Sequence, residues 1–259
     1  MRFNPGFNIE YDTSKMTYVY HQNCFGPKLE IRKLDDIRHI LIDPYCEGPS
    51  SVYVIAMDVG DIKDRQDLLS KNLLYGTVMY ARGRIGNEPV HSQGHIHAIS
   101  KSCAYSTPEV YEIWAGKAYI LMQELITDDP GCCFAVEAKA GDVVVVPPGW
   151  PHATISADYN EPLVFGAWCV RDYGFVYEDV RRHHGLAFYA LYDENDKLVF
   201  KKNRAYINQE LIIKKPRVYH ELEIELGMSI YLQYQNNPDR FMFVSKPQLK
   251  LDVWQKFIP

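Results

Sequence analysis

The sequence predicts an all-β protein, either a sandwich or a barrel, and two observations support this fold class. Short segments rich in Val, Ile, Tyr and Phe dominate residues 51–170, and Gly, Pro, Asn or Asp separates each from the next. Many short strands with regular turns are typical of sandwiches and barrels. The predicted strands are SVYVIAMDV, LLYGTVMYARG, VYEIWAGKAYILMQEL, CCFAVEAKAGDVVVVPPG, HATISA and LVFGAWCV, of which the third and fourth each span two strands.

The segments on either side of this region read differently. Before it, KLDDIRHILID has apolar residues at helical spacing, which predicts a short helix in an N-terminal arm. After it, LAFYALYDENDKLVFKKN predicts a hairpin around DEND, and the last sixty or so residues mix helical periodicity with prolines. We expect an arm over 1–50, a barrel over 51–200 and an extension over 201–259 packed on the barrel, although a length of 259 residues also allows two domains.

Charge and composition exclude several classes of partner. The formal net charge is −5, so we expect neither a nucleic acid nor an anionic membrane as partner. The sequence shows no leader-like N-terminus and no run of about 18 apolar residues, which predicts a cytoplasmic protein without a membrane span. The six cysteines lack C-x-x-C spacing and are expected to be reduced structural thiols.

Three histidines and one glutamate follow the predicted strands. In SQGHIHAIS, His95 and His97 would lie on the same face of a strand, about 7 Å apart at Cα. In PEVYEIWAGKAY, Glu109 would share one strand face with Tyr111 and Ile113, and His152 follows the turn PPGWP. A lone H-x-H pair is usually structural, but three imidazoles and a carboxylate together form a plausible ligand set for Fe, Mn, Ni or Zn.

The spacing of these residues resembles the two sequence motifs of the cupin superfamily. His95, His97, Glu109 and Gly116 fill the first motif, and the Glu-to-Gly spacing selects Glu109 over the nearby Glu112. The second motif, G-x-x-x-x-x-P-x-G-x-x-H, matches Gly141, Pro147, Gly149 and His152. The resemblance implies a double-stranded β-helix (jelly-roll) barrel that holds one divalent transition metal on His95, His97, Glu109 and His152.

The first motif is interrupted in this chain. Eleven residues, AISKSCAYSTP (98–108), separate His97 from Glu109, where most cupins have three or four. Because both ends of this insertion are attached to predicted ligands, we expect it to border the mouth of the cavity and to control access. Ser156 occupies the usual terminal Asn position of the second motif, which is not a ligand position.

Residues 70–200 are similar to the cupin-type glucose-6-phosphate isomerases, through YGTVMYARGRIGNEPVHSQGHIHA, EVYEIWAGKAYILMQ, AGDVVVVPPGWPHATIS and DYG. By this resemblance the phosphate of the sugar would contact Thr77, Ser92 and Gly94, and two tyrosines, Tyr111 and Tyr173, would lie near the sugar. A histidine and a tyrosine usually found shortly before DYG are absent from AWCVRDYG. Arg171 in that segment is either a substrate contact or a surface residue.

The resemblance implies a metal-dependent aldose–ketose isomerase that interconverts glucose 6-phosphate and fructose 6-phosphate. Glu109 and Tyr173 are the expected catalytic residues, although a hydride shift would need no base. Two alternatives remain open at this point: a non-catalytic sugar-phosphate-binding cupin and a metal-dependent cupin dioxygenase. Many cupins pair edge strands, so a homodimer is expected.

Overall fold

A computed structural model describes the fold over residues 3–259. Strands predominate, as predicted, and each predicted strand segment forms a strand or a pair of strands. The strands are β1 (Ile9–Asp12), β2 (Thr17–Tyr20), β3 (Cys24–Phe25), β4 (Glu30–Lys33), β5 (Ser51–Met57), β6 (Gly60–Asp61), β7 (Leu73–Tyr80), β8 (Arg84–Ile85), β9 (Glu88–Pro89), β10 (Ile96–His97), β11 (Glu109–Ala115), β12 (Lys117–Gln123), β13 (Cys132–Lys139), β14 (Val143–Val146), β15 (His152–Ser156), β16 (Leu163–Val170), β17 (Phe175–Val176), β18 (Phe188–Tyr192), β19 (Leu198–Lys202) and β20 (Glu210–Lys214).

Helices are short. The α-helices are α1 (Arg65–Ser70), α2 (Glu178–Arg182), α3 (Ile230–Asn236), α4 (Met242–Ser245) and α5 (Leu251–Trp254). Turns of 3-10 helix occur at Leu34–Asp36, Arg38–Ile40, Ile62–Asp64, His220–Leu222 and Pro247–Lys250. Every helix within residues 3–259 is too short or too polar to span a lipid bilayer.

Two sheets form the barrel. The larger sheet has the strand order β14-β11-β16-β7-β5-β4, and its neighbouring strands are antiparallel. The smaller sheet has the order β15-β12-β13-β20, in which only β20 is parallel to its neighbour. Side chains from the inner faces of both sheets, such as Ile113, Val144, Ile120 and Val136, belong to one buried cluster. The predicted all-β cupin fold is confirmed.

A second buried cluster covers the outer face of the larger sheet. Tyr75 and Trp168 project from this face and pack against Tyr231 of α3, with ring centroids 5.2 and 5.4 Å apart. Because both faces of the sheet are covered, β16 is buried along its whole length. The last sixty residues therefore supply the second layer over this sheet.

The segments outside 51–200 also contribute strands. β4 lies at one edge of the larger sheet, and β20 lies at the edge of the smaller one. Both pair with strands of the central region, so the sheets extend across residues 50 and 200. The division of the chain into an arm, a barrel and an extension remains a proposal.

Two local predictions have different outcomes. The DEND hairpin is confirmed, since β18 and β19 pair antiparallel. The predicted helix at 34–41 instead forms two 3-10 turns, because Ile37 between them has φ −120° and ψ −1°, outside the helical region. Its apolar residues are nevertheless buried. The spacing therefore identified correctly which residues pack against the core, but it wrongly predicted a continuous helix.

Candidate metal centre and cavity

Four residues meet inside the barrel, each at the end of a strand or beside one. His97 ends β10, and Glu109 and His152 begin β11 and β15, while His95 forms a bridge with His152. One ligand atom of each side chain lies within 4.8 Å of the corresponding atoms of the other three. The three histidines and the glutamate predicted from the motifs are therefore brought together.

Backbone carbonyls orient two of the imidazoles. His97 Nδ1 lies 2.9 Å from Thr107 O, and His152 Nδ1 lies 2.9 Å from Trp150 O. A carbonyl only accepts, so each Nδ1 donates and each neutral ring presents the lone pair of Nε2. These Nε2 atoms lie 3.1 and 3.2 Å from Glu109 Oε2, which also bears lone pairs. A cation bound among these acceptors would relieve their repulsion.

The third histidine supplies a further observation. His95 Nε2 is buried and has no hydrogen-bond partner among the described residues. Burial lowers the pKa of His95 well below its ordinary value, and the neighbouring His152 and His97 lower it further, so the neutral ring is favoured. A buried acceptor without a partner is costly unless it binds something. Together with the acceptors above, this atom indicates a metal site of the imidazole and carboxylate class.

The carboxylate of Glu109 is held by more than the histidines. Tyr111 donates its hydroxyl to Oε2 at 2.8 Å, and the Cys169 thiol contacts Oε1 at 3.4 Å. Burial alone would raise the pKa of Glu109, but the adjacent imidazoles of His152 and His97 outweigh this effect, and the pKa falls well below its ordinary value. The ionised carboxylate is therefore favoured, as a candidate metal ligand requires.

A cavity of about 280 Å³ opens beside these residues. Both sheets contribute to its wall, and so does the segment that follows β16. The lining residues are Glu30, Arg32, Tyr53, Ile55, Met57, Val78, Tyr80, Ser92, Gln93, His95, Glu109, Tyr111, Thr154, Phe165, Tyr173, Phe175 and Tyr177. Aromatic walls with a few convergent polar groups are typical of small-molecule sites.

Comparison with known proteins identifies the family of this chain. The model of the glucose-6-phosphate isomerase family matches residues 32–208, more than half of the chain. The chain belongs to this family. The glucose-6-phosphate isomerase of Thermococcus litoralis is 30% identical over 183 residues, which are 68% of this chain and 86% of the relative. That of Pyrococcus furiosus is 28% identical over 159 residues, 59% of this chain and 75% of the relative. Among solved structures, hazelnut vicilin superimposes with a TM-score of 0.38 and 16% identity, over 59% of this chain and 36% of its own.

Three of the residues expected to contact substrate in this glucose-6-phosphate isomerase family member line the cavity. They are Ser92, Tyr111 and Tyr173. Tyr173 is 40% exposed, which places it at the mouth, whereas Tyr111 is buried next to Glu109. Gly94 does not line the cavity. Its φ of +81° lets the backbone turn just before His95, and an added Cβ would lie 3.3 Å from Val180.

Thr77 is not where a phosphate contact was expected. Its hydroxyl donates to Phe165 O at 2.8 Å, lies 3.1 Å from Tyr18 Oη, and is completely buried on the outer face of the larger sheet. Alternate residues of a strand face opposite sides, so Val78 and Tyr80 of β7 line the cavity instead. The prediction for Thr77 is corrected, because the residues of β7 that face the cavity are Val78 and Tyr80, and Thr77 faces the opposite side of the sheet.

Arg171 is also turned away from the cavity. Its guanidinium makes a bidentate pair with Asp58 at 2.8 and 2.9 Å and donates to Leu73 O. These three hydrogen bonds engage both terminal nitrogens of the guanidinium. The suggestion that Arg171 contacts substrate is therefore wrong for this structure, and the residue ties the end of β16 to the turn after β5.

The insertion 98–108 does not line the cavity either. Ser106 donates to His97 O at 2.8 Å and accepts from Gly149 N at 2.9 Å, and the neighbouring Thr107 O accepts from His97 Nδ1. Ser100 and Ser102 in the same insertion hydrogen-bond to Asp172. The insertion supports His97 from behind, and the expectation that it borders the mouth is corrected.

Several cavity residues were missed by sequence reasoning. Arg32 of β4 is the one Lys or Arg among the lining residues; it pairs with Glu30 at 2.5 Å and leaves Nε buried without a hydrogen-bond partner in the described chain. Gln93 accepts through Oε1 from Arg181 and lies 3.1 Å from His39 Nε2. Alternation along β7 would have suggested Tyr80, but nothing in the sequence points to Arg32, which lies more than sixty residues before the first motif histidine.

Proposed function

We propose that this chain is a metal-dependent aldose–ketose isomerase that interconverts glucose 6-phosphate and fructose 6-phosphate. The observation that carries the proposal is the convergence of His97 Nε2, His152 Nε2 and Glu109 Oε2 beside an aromatic-walled cavity. Membership of the glucose-6-phosphate isomerase family supports the same reaction. The cavity volume of about 280 Å³ lies just below the usual range for small-molecule sites, about 300–1,000 Å³.

The proposed ligands are His95, His97, Glu109 and His152, and the proposed metal is one of Fe, Mn, Ni and Zn. Metal bonds of about 2.0–2.2 Å would leave neighbouring donor atoms roughly 3 Å apart, which agrees with the 3.1 and 3.2 Å separations from Glu109 Oε2. When bound, the metal would polarise the sugar carbonyl as a Lewis acid.

The protein groups would orient the open-chain sugar and move its proton. Isomerisation transfers hydrogen between C1 and C2, and in the proton-transfer route a base must lie within hydrogen-bond reach of that hydrogen. Glu109 is the proposed base for the proton-transfer route, because it is ionised and borders the cavity. Tyr111 donates to Glu109 Oε2 and would hold the carboxylate in place. Tyr173 at the mouth is the second proposed catalytic group, in contact with the sugar.

The phosphate end of the site is proposed to differ from that implied by the family resemblance. Ser92 Oγ accepts from Thr154 N at 3.1 Å, and the Tyr80 hydroxyl interacts with the side chains of both residues. Arg32 adds a guanidinium to the same cavity. We propose that these four residues bind the phosphate, since charge-assisted hydrogen bonds to a guanidinium are the strong ones.

The assembly and location of the protein are also proposals. β4 and β14 are the outer strands of the larger sheet, and an edge strand presents backbone groups to which a second copy could pair. A homodimer is proposed, and light scattering after size exclusion tests it. All six cysteines are free thiols, which supports a reducing compartment such as the cytoplasm.

One purified sample tests the function. We expect about one transition metal per chain and conversion of fructose 6-phosphate to glucose 6-phosphate in a dehydrogenase-coupled assay. Free fructose should be a very poor substrate. Binding of fructose 6-phosphate without conversion would indicate a non-catalytic cupin, and oxygen consumption by an iron-loaded sample would indicate a dioxygenase. Either result would contradict the proposal.

A further inference from the structure

A second concave site lies on the surface away from the metal centre. It is a groove of about 560 Å³ between the segment 38–44 and the segment 184–204, which we call the basic groove. Its lining residues are Arg38, His39, Leu41, Ile42, Pro44, His184, Tyr189, Lys201, Lys202, Asn203 and Arg204. Its volume is within the range of small-molecule sites.

The charge of the basic groove is of one sign. Four lining residues are Lys or Arg and two are His, and none is Asp or Glu. Asp35 pairs with Arg38, but Lys201, Lys202 and Arg204 have no ion pair within residues 3–259. In a chain of net charge −5, uncompensated cations gathered in one concavity favour an anionic ligand.

The wall that carries these cations is held in place by buried hydrogen bonds. Asn203 is 3% exposed and donates its amide to His183 O and Leu186 O at 2.8 and 3.0 Å. Tyr189 donates to His184 O at 2.9 Å. Opposite this wall, Ile42 is 45% exposed and offers an apolar surface. The groove is thus preformed, with one cationic side and one apolar side.

The basic groove is connected to the metal-centre cavity through one side chain. His39 lines the groove, and its Nε2 lies 3.1 Å from Oε1 of Gln93, which lines the cavity. The same Oε1 accepts from Arg181 at 3.1 and 3.2 Å. Because these contacts occupy the side-chain oxygen of Gln93, its amide NH2 group is available to donate to a ligand in the cavity. A ligand that draws His39 into the groove would loosen this arrangement.

We propose that the basic groove binds a phosphorylated small molecule with at least two negative charges and an apolar or aromatic portion, and that its binding changes isomerase activity through His39 and Gln93. A nucleoside diphosphate has this chemistry: the phosphates would face the wall that carries Lys201, Lys202 and Arg204, and the base would face Ile42. The regulatory part rests on the proposed function, whereas the binding part does not.

Binding is tested by calorimetry with ADP, pyrophosphate and adenosine, in the presence of saturating fructose 6-phosphate to occupy the cavity. We expect ADP to bind more tightly than pyrophosphate and adenosine not to bind. Lys201→Glu with Lys202→Glu should weaken ADP binding at least tenfold. Lys256→Glu, at an exposed lysine outside the groove, and Arg32→Met, in the cavity, should leave it unchanged. Absence of ADP binding at millimolar concentration, equal binding of adenosine, or an unchanged affinity in the double variant would overturn the site.

Coupling is tested by the KM for fructose 6-phosphate with and without ADP. We expect ADP to change the KM at least twofold in the parent, and His39→Ala to abolish that response while ADP still binds. An unchanged KM in an active parent that binds ADP would overturn the regulatory part. If the parent has no isomerase activity, the proposed function fails, and the calorimetry still decides whether the groove binds an anion.

Discussion

At the scale of single residues, the candidate metal centre depends on which nitrogen of each histidine is free. A backbone carbonyl accepts from Nδ1 of His97 and of His152, so Nε2 of both rings is directed at Glu109. Outer partners of this kind fix the tautomer and the orientation of metal-binding histidines. The ligand geometry therefore depends on the backbone at Thr107 and Trp150 as much as on the imidazoles.

Replacement of one ligand should remove the metal without unfolding the barrel. His152→Ala deletes an Nε2 that lies 3.2 Å from Glu109 Oε2. Loss of a group that only hydrogen-bonds to a metal ligand costs about 10–100-fold in metal affinity. We expect loss of a ligand itself to cost more than about 100-fold. Elemental analysis after dialysis measures this loss. The control is His183→Ala, a histidine buried outside the cluster that should keep its metal. Full metal occupancy in His152→Ala would show that the ligand assignment is wrong.

Glu112, next to the site in sequence, lies on the opposite face of β11 and has a different role. It accepts from Ile230 N at 2.9 Å, which ties α3 to the sheet, and burial raises its pKa to about 8. In the folded protein the carboxyl stays protonated up to that pH, whereas in the unfolded chain it ionises above about 4.5. The unfolded state therefore binds fewer protons between these values, and stability falls as the pH rises.

Glu112→Gln should remove this pH dependence. The carboxamide oxygen still accepts from Ile230 N but does not ionise, so the variant should lose less stability than the parent between pH 5 and pH 8. The difference has an upper bound of roughly 4 kcal/mol, at 1.36 kcal/mol for each of the pH units from pH 5 to pH 8. Urea unfolding at both pH values measures it. Parallel stability curves for parent and variant would contradict the raised pKa.

At the scale of elements, β7 shows how a strand assigns its residues to two different environments. Thr77 faces the aromatic cluster under the C-terminal segment, and Val78 faces the cavity. Both faces are covered, so adjacent residues of one strand belong to different parts of the protein.

A matched pair of substitutions separates the two faces. Thr77→Val removes a hydroxyl that donates to Phe165 O and should cost about 1–3 kcal/mol of stability with an unchanged KM for fructose 6-phosphate. Val78→Phe places a ring in the cavity and should raise the KM. Thermal unfolding and steady-state kinetics of both variants measure the difference. A raised KM in Thr77→Val alone would restore Thr77 as a substrate contact.

The insertion 98–108 is expected to act on metal affinity and not on access. Ser106 connects His97 O to Gly149 N, and Ser106→Ala breaks both contacts. Loss of a hydrogen bond that supports a metal ligand typically lowers metal affinity 10–100-fold. We expect about tenfold weaker metal binding in a chelator competition and little change with Ser102→Ala, which contacts Asp172 instead. Equal metal affinities in the two variants would show that the insertion does not support the site.

At the scale of the whole molecule, the cavity is completed by a distant part of the chain. Arg32 and Glu30 come from β4, which reaches the cavity because it pairs with β5 at the edge of the larger sheet. Arg32→Met keeps much of the side-chain volume and removes the charge. It should raise the KM for fructose 6-phosphate at least about tenfold, the equivalent of roughly 1.4 kcal/mol, with normal metal content.

The control for Arg32 is a surface arginine outside the cavity. Arg84 pairs with Asp196 at 2.7 Å, and Arg84→Met should leave the KM unchanged. Equal KM values for Arg32→Met and the parent would place the phosphate elsewhere in the cavity.

The sequence by itself determined the strands of both sheets except the edge strands β4 and β20, and it determined the four residues that meet inside them. Strands are predictable from local runs of β-branched and aromatic residues, and the motif spacing relates His95, His97, Glu109 and His152 without reference to their surroundings. The tertiary structure alone decided that Val78 and not Thr77 faces the cavity, that Asp58 occupies Arg171, and that Arg32 enters the site. When both faces of a sheet are buried, the apolar pattern does not distinguish inside from outside, and contacts between residues far apart in sequence form only once the layers pack.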